Sequence, residues 1–139
     1  MKKLLIICTA IVCLTAMAFS EKTGSNPKIE TFVSTYFPQA NITAIVPDGR
    51  EYDVMLSDHT NLEFDRKMEW KEVDCEHSTI YTSVPSALVP QQITDYVNQN
   101  YPNNDIVKIS KDGRNWDIEL NNDIEIEFNR NFEIVEIGL

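Results

Sequence analysis

"DGREYDV" occupies residues 48–54 and "DGRNWDI" residues 112–118, so one chain of 139 residues carries the same turn twice. Sliding the chain by 64 positions pairs residues 29–73 with residues 93–137 without a gap, and 15 of the 45 aligned positions are identical. Among them are Asp48/Asp112, Gly49/Gly113, Arg50/Arg114, Asp53/Asp117, Glu63/Glu127 and Phe64/Phe128. Other pairs keep their chemistry, as in Phe32/Tyr96, Tyr52/Trp116 and Leu62/Ile126. Self-similarity at a fixed period marks a duplicated structural unit.

Within each unit the apolar period changes once. Ile29, Phe32, Val33, Tyr36 and Phe37 recur at helical spacing, and Ile93, Tyr96, Val97 and Tyr101 echo them. Each set forms one apolar stripe on a helix. Pro38 and Pro102 end these helices, because proline disfavours the helical conformation of the residue before it and has no N–H to donate. Beyond the proline the period is two: Tyr52, Val54 and Leu56, then Leu62 and Phe64, then Met68 and Trp70 point inward, as do Trp116, Ile118, Leu120, Ile124, Ile126 and Phe128, with a last strand over 132–137. Asp-Gly is read as the two-residue hairpin turn that joins the first two strands, with glycine taking positive φ. The expected fold is α+β: a tandem repeat of two units, each one helix and a four-stranded antiparallel meander. The divisions are 1–20 signal peptide, 21–73 first unit, 74–92 connector and 93–139 second unit, with "VPSALVPQQ" in the connector forming a short helical turn.

The chain opens "MKKLLIICTAIVCLTAMAFS". Lys2 and Lys3, the apolar run Leu4–Leu14 and the small residues Ala16 and Ala18 have the layout of a secretory signal, with cleavage expected near Ala18 or Ser20. No membrane span is expected after cleavage, because polar residues follow the apolar run at once. The chain is expected in the periplasm or outside a bacterial cell. Removing residues 1–20 takes two of the 12 Lys+Arg and none of the 22 Asp+Glu, so the mature charge is 10 − 22 = −12. Such a field excludes nucleic acid as a partner and favours a protein or peptide with a basic surface. Cys8 and Cys13 fall in the signal, which leaves Cys75 without a partner for a disulfide.

The segments "IETFVSTYFPQANITAIVPDGREYDVMLSDHTNLEFDRKMEWKEV" and "ITDYVNQNYPNNDIVKISKDGRNWDIELNNDIEIEFNRNFEIVEI" resemble the β-lactamase-inhibitor-like, PepSY-like family of secreted bacterial proteins. Helix, Tyr-Pro or Phe-Pro, then strands around the Asp-Gly-Arg turn carry the resemblance. It implies tandem units whose sheets join edge to edge into one curved sheet, with the helices on its convex side. In β-lactamase inhibitor proteins the concave face grips an enzyme, and the likeness to those proteins is one of architecture.

Alternation turns carboxylates away from the helices: Glu51, Asp53, Glu63 and Asp65 in the first unit, and Asp117, Glu119, Glu125, Glu127 and Glu133 in the second. Glu51, Asp53, Glu63, Asp117, Glu119, Glu125 and Glu127 are the candidate partner-binding residues of a non-enzymatic binding or inhibitor-like module. A solvated sheet face would alternate in the same way. The alternative is an envelope enzyme or metal-binding factor that uses carboxylates with Cys75 and His77, since an imidazole can activate a thiol. With His59 and His77 the only histidines, no second histidine-rich cluster completes a zinc site, and neither a cofactor nor a catalytic residue is expected. The sequence has no glycine-rich phosphate loop and no serine nucleophile elbow.

Overall fold

The computed structural model describes residues 26–139. The expected signal peptide lies outside the described residues. Helix α1 spans Pro27–Tyr36, followed by strands β1 (Ile42–Asp48), β2 (Glu51–Leu56), β3 (Asn61–Phe64) and β4 (Trp70–Asp74). A 3₁₀ turn at Ser86–Leu88 leads into α2 (Gln91–Asn100), then β5 (Ile106–Asp112), β6 (Asn115–Leu120), β7 (Glu125–Phe128) and β8 (Ile134–Gly138). Every helix and strand of the first set thus has a counterpart 64 residues on. Helix α2 begins at Gln91, so the last two residues assigned to the connector are helical.

Local chemistry fixes the helix ends. Asn26 caps α1 by accepting the Lys28 N–H, and Pro27 takes the first turn, where no N–H is needed. At the far ends the Phe37 and Tyr101 N–H groups donate to Val33 and Val97, and the prolines that follow stop propagation.

Among the described residues the eight strands form a single open antiparallel sheet in chain order, β1 to β8. The two meanders meet where β4 pairs with β5, through Glu72↔Ser110, Val73↔Ile109 and Asp74↔Lys108. Ile29 and Val33 of α1 and Ile93 and Val97 of α2 join the inward residues Val54, Leu62, Phe64, Val73, Ile109, Ile118, Ile126 and Phe128 in one core. The same ring contact closes each half: Phe32 meets Phe64 edge-on at 5.2 Å, and Tyr96 meets Phe128 edge-on at 5.5 Å. Across the β4–β5 junction Lys111 Nζ lies 3.6 Å from the centre of the Trp70 ring, and Trp70 lies 6.2 Å from Trp116.

Two expectations about turns need correction. Asp48 pairs with Glu51 and Asp112 with Asn115, so the central residues of the hairpins are Gly-Arg and not Asp-Gly. Gly49 and Gly113 have φ of +60° at the first central position, as in a type II′ turn, whose twist suits flanking strands. Met68 and Phe132, expected to start the fourth strands, sit in turns at φ of 63° and 61°. The Asp65 carboxylate accepts the Lys67 and Glu69 N–H groups, and the Asn129 carbonyl accepts those of Asn131 and Glu133. These side-chain bonds tighten the turn and force the bulky residue into the left-handed region.

Bulges shift the strand phase at matching places. β1 skips Thr43 against β2, and β5 skips Val107 against β6. β4 and β8 skip Lys71 and Val135 against their neighbours. An extra residue in one strand re-aims every side chain beyond it, which sets what the outer face displays.

Candidate functional site

The face turned away from the helices is built from cross-strand pairs, because residues opposite one another in adjacent strands point to the same side. One line of pairs crosses the whole sheet: Val46↔Asp53, Asp53↔Glu63, Glu63↔Glu72, Glu72↔Ser110, Ser110↔Asp117, Asp117↔Glu127 and Glu127↔Glu136. Eight side chains stand in this row and six are carboxylates. Neighbouring strands lie about 4.8 Å apart, so the acids are immediate neighbours within each half. The parallel row beside it runs from Met55 and Asn61 through Asp74 and Lys108 to Glu119 and Glu125.

Asp53, Glu63, Asp117 and Glu127 from the sequence reading therefore fall in the first row, and Glu119 and Glu125 in the second. Glu51 stands one step nearer the Gly-Arg hairpin, where it accepts a hydrogen bond from Lys71 Nζ. Glu72 and Glu136 were not singled out from sequence. They follow the β4 and β8 bulges, and simple alternation loses phase there.

Burial first, and like charge after it, set the electrostatics of this face. Burial, the hydrogen bond with Glu51 and the charges of Glu51 and Glu72 push the Glu63 carboxyl up to about 8 against the partial relief of Lys71. Hydrogen bonds from Glu63 and Lys71 lower Glu51 in turn, so the pair shares one proton held chiefly on Glu63. Asp53 is raised by burial and by the charges of Asp48 and Glu51. Burial and the Glu76 charge raise Glu119, although Lys108 opposes them. A cavity of about 210 Å³, lined by Glu51, Glu63, Lys71, Glu72, Lys111 and Asp112, opens on this side of the sheet.

Lys108 tempers the face where the halves join. Lys108 Nζ lies 3.1 Å from Glu72 and 3.5 Å from Asp74, and all three side chains are partly buried. Asn115 Nδ2 donates to Glu127.

A second carboxylate group involves Glu119 again. Oxygens of Glu76, Glu119 and Asp123 lie within 4.8 Å of one another, bringing the connector to the β6–β7 turn. Neither Glu76 nor Asp123 was a candidate from sequence, since no spacing rule joins a connector to a hairpin 47 residues later.

Cys75 and His77 are not arranged for thiol catalysis. Cys75 is 2% exposed, and burial pushes its thiol up to about 12 despite the hydrogen bond with Thr60. A thiolate is the reactive form, so this cysteine is inert at neutral pH. The His77 ring is exposed, and its nearest acidic partner is Glu76 at 4.0 Å. The buried polar group nearby is structural: Asp58, 1% exposed, accepts hydrogen bonds from the Thr60 N–H and hydroxyl and from the Ser78 hydroxyl. These bonds fasten the connector to the β2–β3 turn.

No helix among the described residues is long and apolar enough to cross a membrane. Comparison with known proteins finds no match among curated ones. Solved structures are informative. A "putative calcium-regulated periplasmic protein" from Bacteroides thetaiotaomicron is 30% identical, with a TM-score of 0.74 over 84% of this chain and 92% of its own. A "putative periplasmic protein" from Bacteroides vulgatus is 34% identical, with a TM-score of 0.73 over 81% of this chain and 89% of its own. The family described as "Putative beta-lactamase-inhibitor-like, PepSY-like" matches residues 50–136. With that match spanning more than half its length, the chain belongs to the β-lactamase-inhibitor-like, PepSY-like family.

Proposed function

We propose that this protein is a non-enzymatic binding module of the bacterial envelope, made of a duplicated helix-and-meander unit and exported by residues 1–20. Its outer sheet face holds a protein or peptide with a basic surface. The observation that carries this is the row Asp53, Glu63, Glu72, Asp117, Glu127 and Glu136, set in register across strands of both halves. Like charges directly opposite one another destabilise a sheet, and a solvated face has no need to align them. A cationic partner relieves that repulsion on binding. Inert Cys75 counts against a thiol enzyme, and the description of relatives as "putative" periplasmic proteins supports the envelope location.

The test compares wild type with a variant carrying Asp53→Asn, Glu63→Gln, Asp117→Asn and Glu127→Gln as bait for envelope proteins. A basic partner retained by wild type, released by salt and lost with the variant is the expected result. Equal retention of every captured protein by both baits would overturn the proposal.

Calcium binding is a second role with its own observation, the Glu76, Glu119 and Asp123 oxygens within 4.8 Å. An all-oxygen carboxylate set suits a hard cation such as calcium and does not suit zinc. One relative is described as calcium-regulated. Calorimetric titration with calcium should give heat that Glu119→Gln abolishes; a silent titration of wild type removes this role.

A further inference from the structure

The β4–β5 junction is a worked example of how one half of this chain docks on another, and both of its faces recur unpaired at the ends of the sheet. Strand β8 is the 64-residue counterpart of β4, and β1 is the counterpart of β5. Among the described residues β8 and β1 are the two edge strands. Val73 and Ile109, paired at the junction, are both 0% exposed. The counterpart of Val73, Ile137, is 47% exposed, and that of Ile109, Ile45, is only half-buried. Next to Ile45, Val46 is 47% exposed.

The residues at the two edges differ from those at the junction in a concerted way. Asp74 pairs with Lys108 at the junction, and their counterparts are Gly138 and Ala44. Lys111 lies over Trp70, and the counterparts of that pair are Pro47 and Ile134. Asp74, Lys108 and Lys111 are replaced at the edges by Gly138, Ala44 and Pro47, while Glu72 keeps its charge as Glu136, so the two edges are largely apolar with one carboxylate on β8. We propose that β8 of one copy docks antiparallel on β1 of a second copy in the register of the β4–β5 junction, with Ile137 opposite Ile45 and Glu136 opposite Val46.

A contact between unlike edges is heterologous and does not close on itself, so association continues beyond the dimer. An edge contact of three residue pairs buries less than the ~800 Å² per partner of a standard interface, so the association is weak and appears at high protein concentration. Each copy is strongly acidic, with a formal charge of −10 over the full sequence. Screening that repulsion with salt strengthens self-association, opposite in sign to the salt effect on the acidic face. The two proposals therefore stand or fall separately.

Sedimentation equilibrium on wild type, Val46→Lys, Ile137→Lys and an equimolar mixture of the two variants tests the pairing. Near-ultraviolet circular dichroism confirms that each variant is folded. If Ile137→Lys is not, Leu139→Lys takes its place, since that side chain is 99% exposed and is the counterpart of Cys75, whose N–H donates to Val107 across the junction. The expected result is a wild-type average mass that rises with concentration and salt, two monomeric variants, and a mixture that doubles in mass and stops there. One intact β8 edge and one intact β1 edge remain in that mixture, so a single junction forms. A wild type that stays monomeric, a variant that associates on its own as wild type does through like-edge pairing, or a mixture of folded variants that stays monomeric would each overturn the proposal.

Discussion

Replacing Glu63 with glutamine changes how stability depends on pH. The Glu63 carboxyl stands between Asp53 and Glu72 and shares a hydrogen bond with Glu51, and it is pushed from 4.5 up to about 8. In the unfolded chain the same group ionises near 4.5. Between these values the native protein holds a proton that the unfolded chain has released, so native stability falls as pH rises through the window. At ~1.36 kcal/mol per pH unit the full span corresponds to about 5 kcal/mol. Solvent screening of a half-buried side chain and the opposite shift of Glu51 reduce this to about 1–2 kcal/mol. Glutamine imitates the protonated acid, because its amide still donates to Glu51 and it has no charge to lose. Wild type and Glu63→Gln should therefore unfold together at about pH 5, and the variant should melt roughly 4–8 °C higher at about pH 9. Thermal unfolding followed by Trp70 and Trp116 fluorescence across that range reads the difference directly. A gap between the two proteins that stays constant with pH would refute the assignment of the crowded proton to Glu63.

Three further perturbations probe the junction, the connector and the hairpins. Lys108→Ala leaves Glu72 and Asp74, side by side on one face of β4, without the cation they share at the β4–β5 junction, at a cost of about 2–3 kcal/mol in urea unfolding, part of which high salt returns. Asp58→Ala strands the Thr60 and Ser78 donors and costs about 2–4 kcal/mol. Burial opposes ionisation of Asp58, but the Ser78 and Thr60 bonds outweigh it and hold the carboxyl below 3.8, so its contribution is present above that pH and is lost as acid is added below it. A variant that loses no stability relative to wild type at neutral pH would deny the connector its anchor. Gly49→Ala and Gly113→Ala should each cost about 1 kcal/mol, because no atom lies within 4 Å of the added Cβ and only the positive φ resists it. Unequal losses at the two sites, measured by chemical denaturation, would break the equivalence of the hairpins.

The helix and the first hairpin of each half were legible because two signals agreed there. Helical spacing stopped at Pro38 and Pro102, and period-two alternation began just beyond, in both copies at the same offset. Pattern reading failed where a side chain overrides the backbone's preference. Asp65 and Asn129 draw the chain into a tight turn that puts Met68 and Phe132 at positive φ, conformations no propensity assigns to them. Glu72 and Glu136 were hidden by the bulges at Lys71 and Val135, which change the face by one residue without a glycine or proline to mark them. The Glu76, Glu119 and Asp123 group depends on where the connector lies against β6 and β7, which is tertiary information.

The proposed role of the acidic row links binding to protonation in a way that solubility alone would not require. A face that served only to keep the protein dissolved could intersperse lysines, as Lys71 and Lys108 do locally, and avoid the cost of about 0.2–1 kcal/mol for each pair of like charges set opposite one another. The second half of the sheet instead repeats the Asp53↔Glu63 pair as Asp117↔Glu127, and each pair extends through the following strand to Glu72 and Glu136. Part of the resulting repulsion is taken up by the proton on Glu63. A cationic group placed over the row favours the ionised carboxyl, so binding must expel that proton, and affinity must rise as pH increases toward 8. Titrations of a lysine-rich peptide in buffers of different ionisation enthalpy would report the release as a buffer-dependent heat. Glu63→Gln should remove that dependence while leaving salt-sensitive binding in place, because the other carboxylates of the row remain.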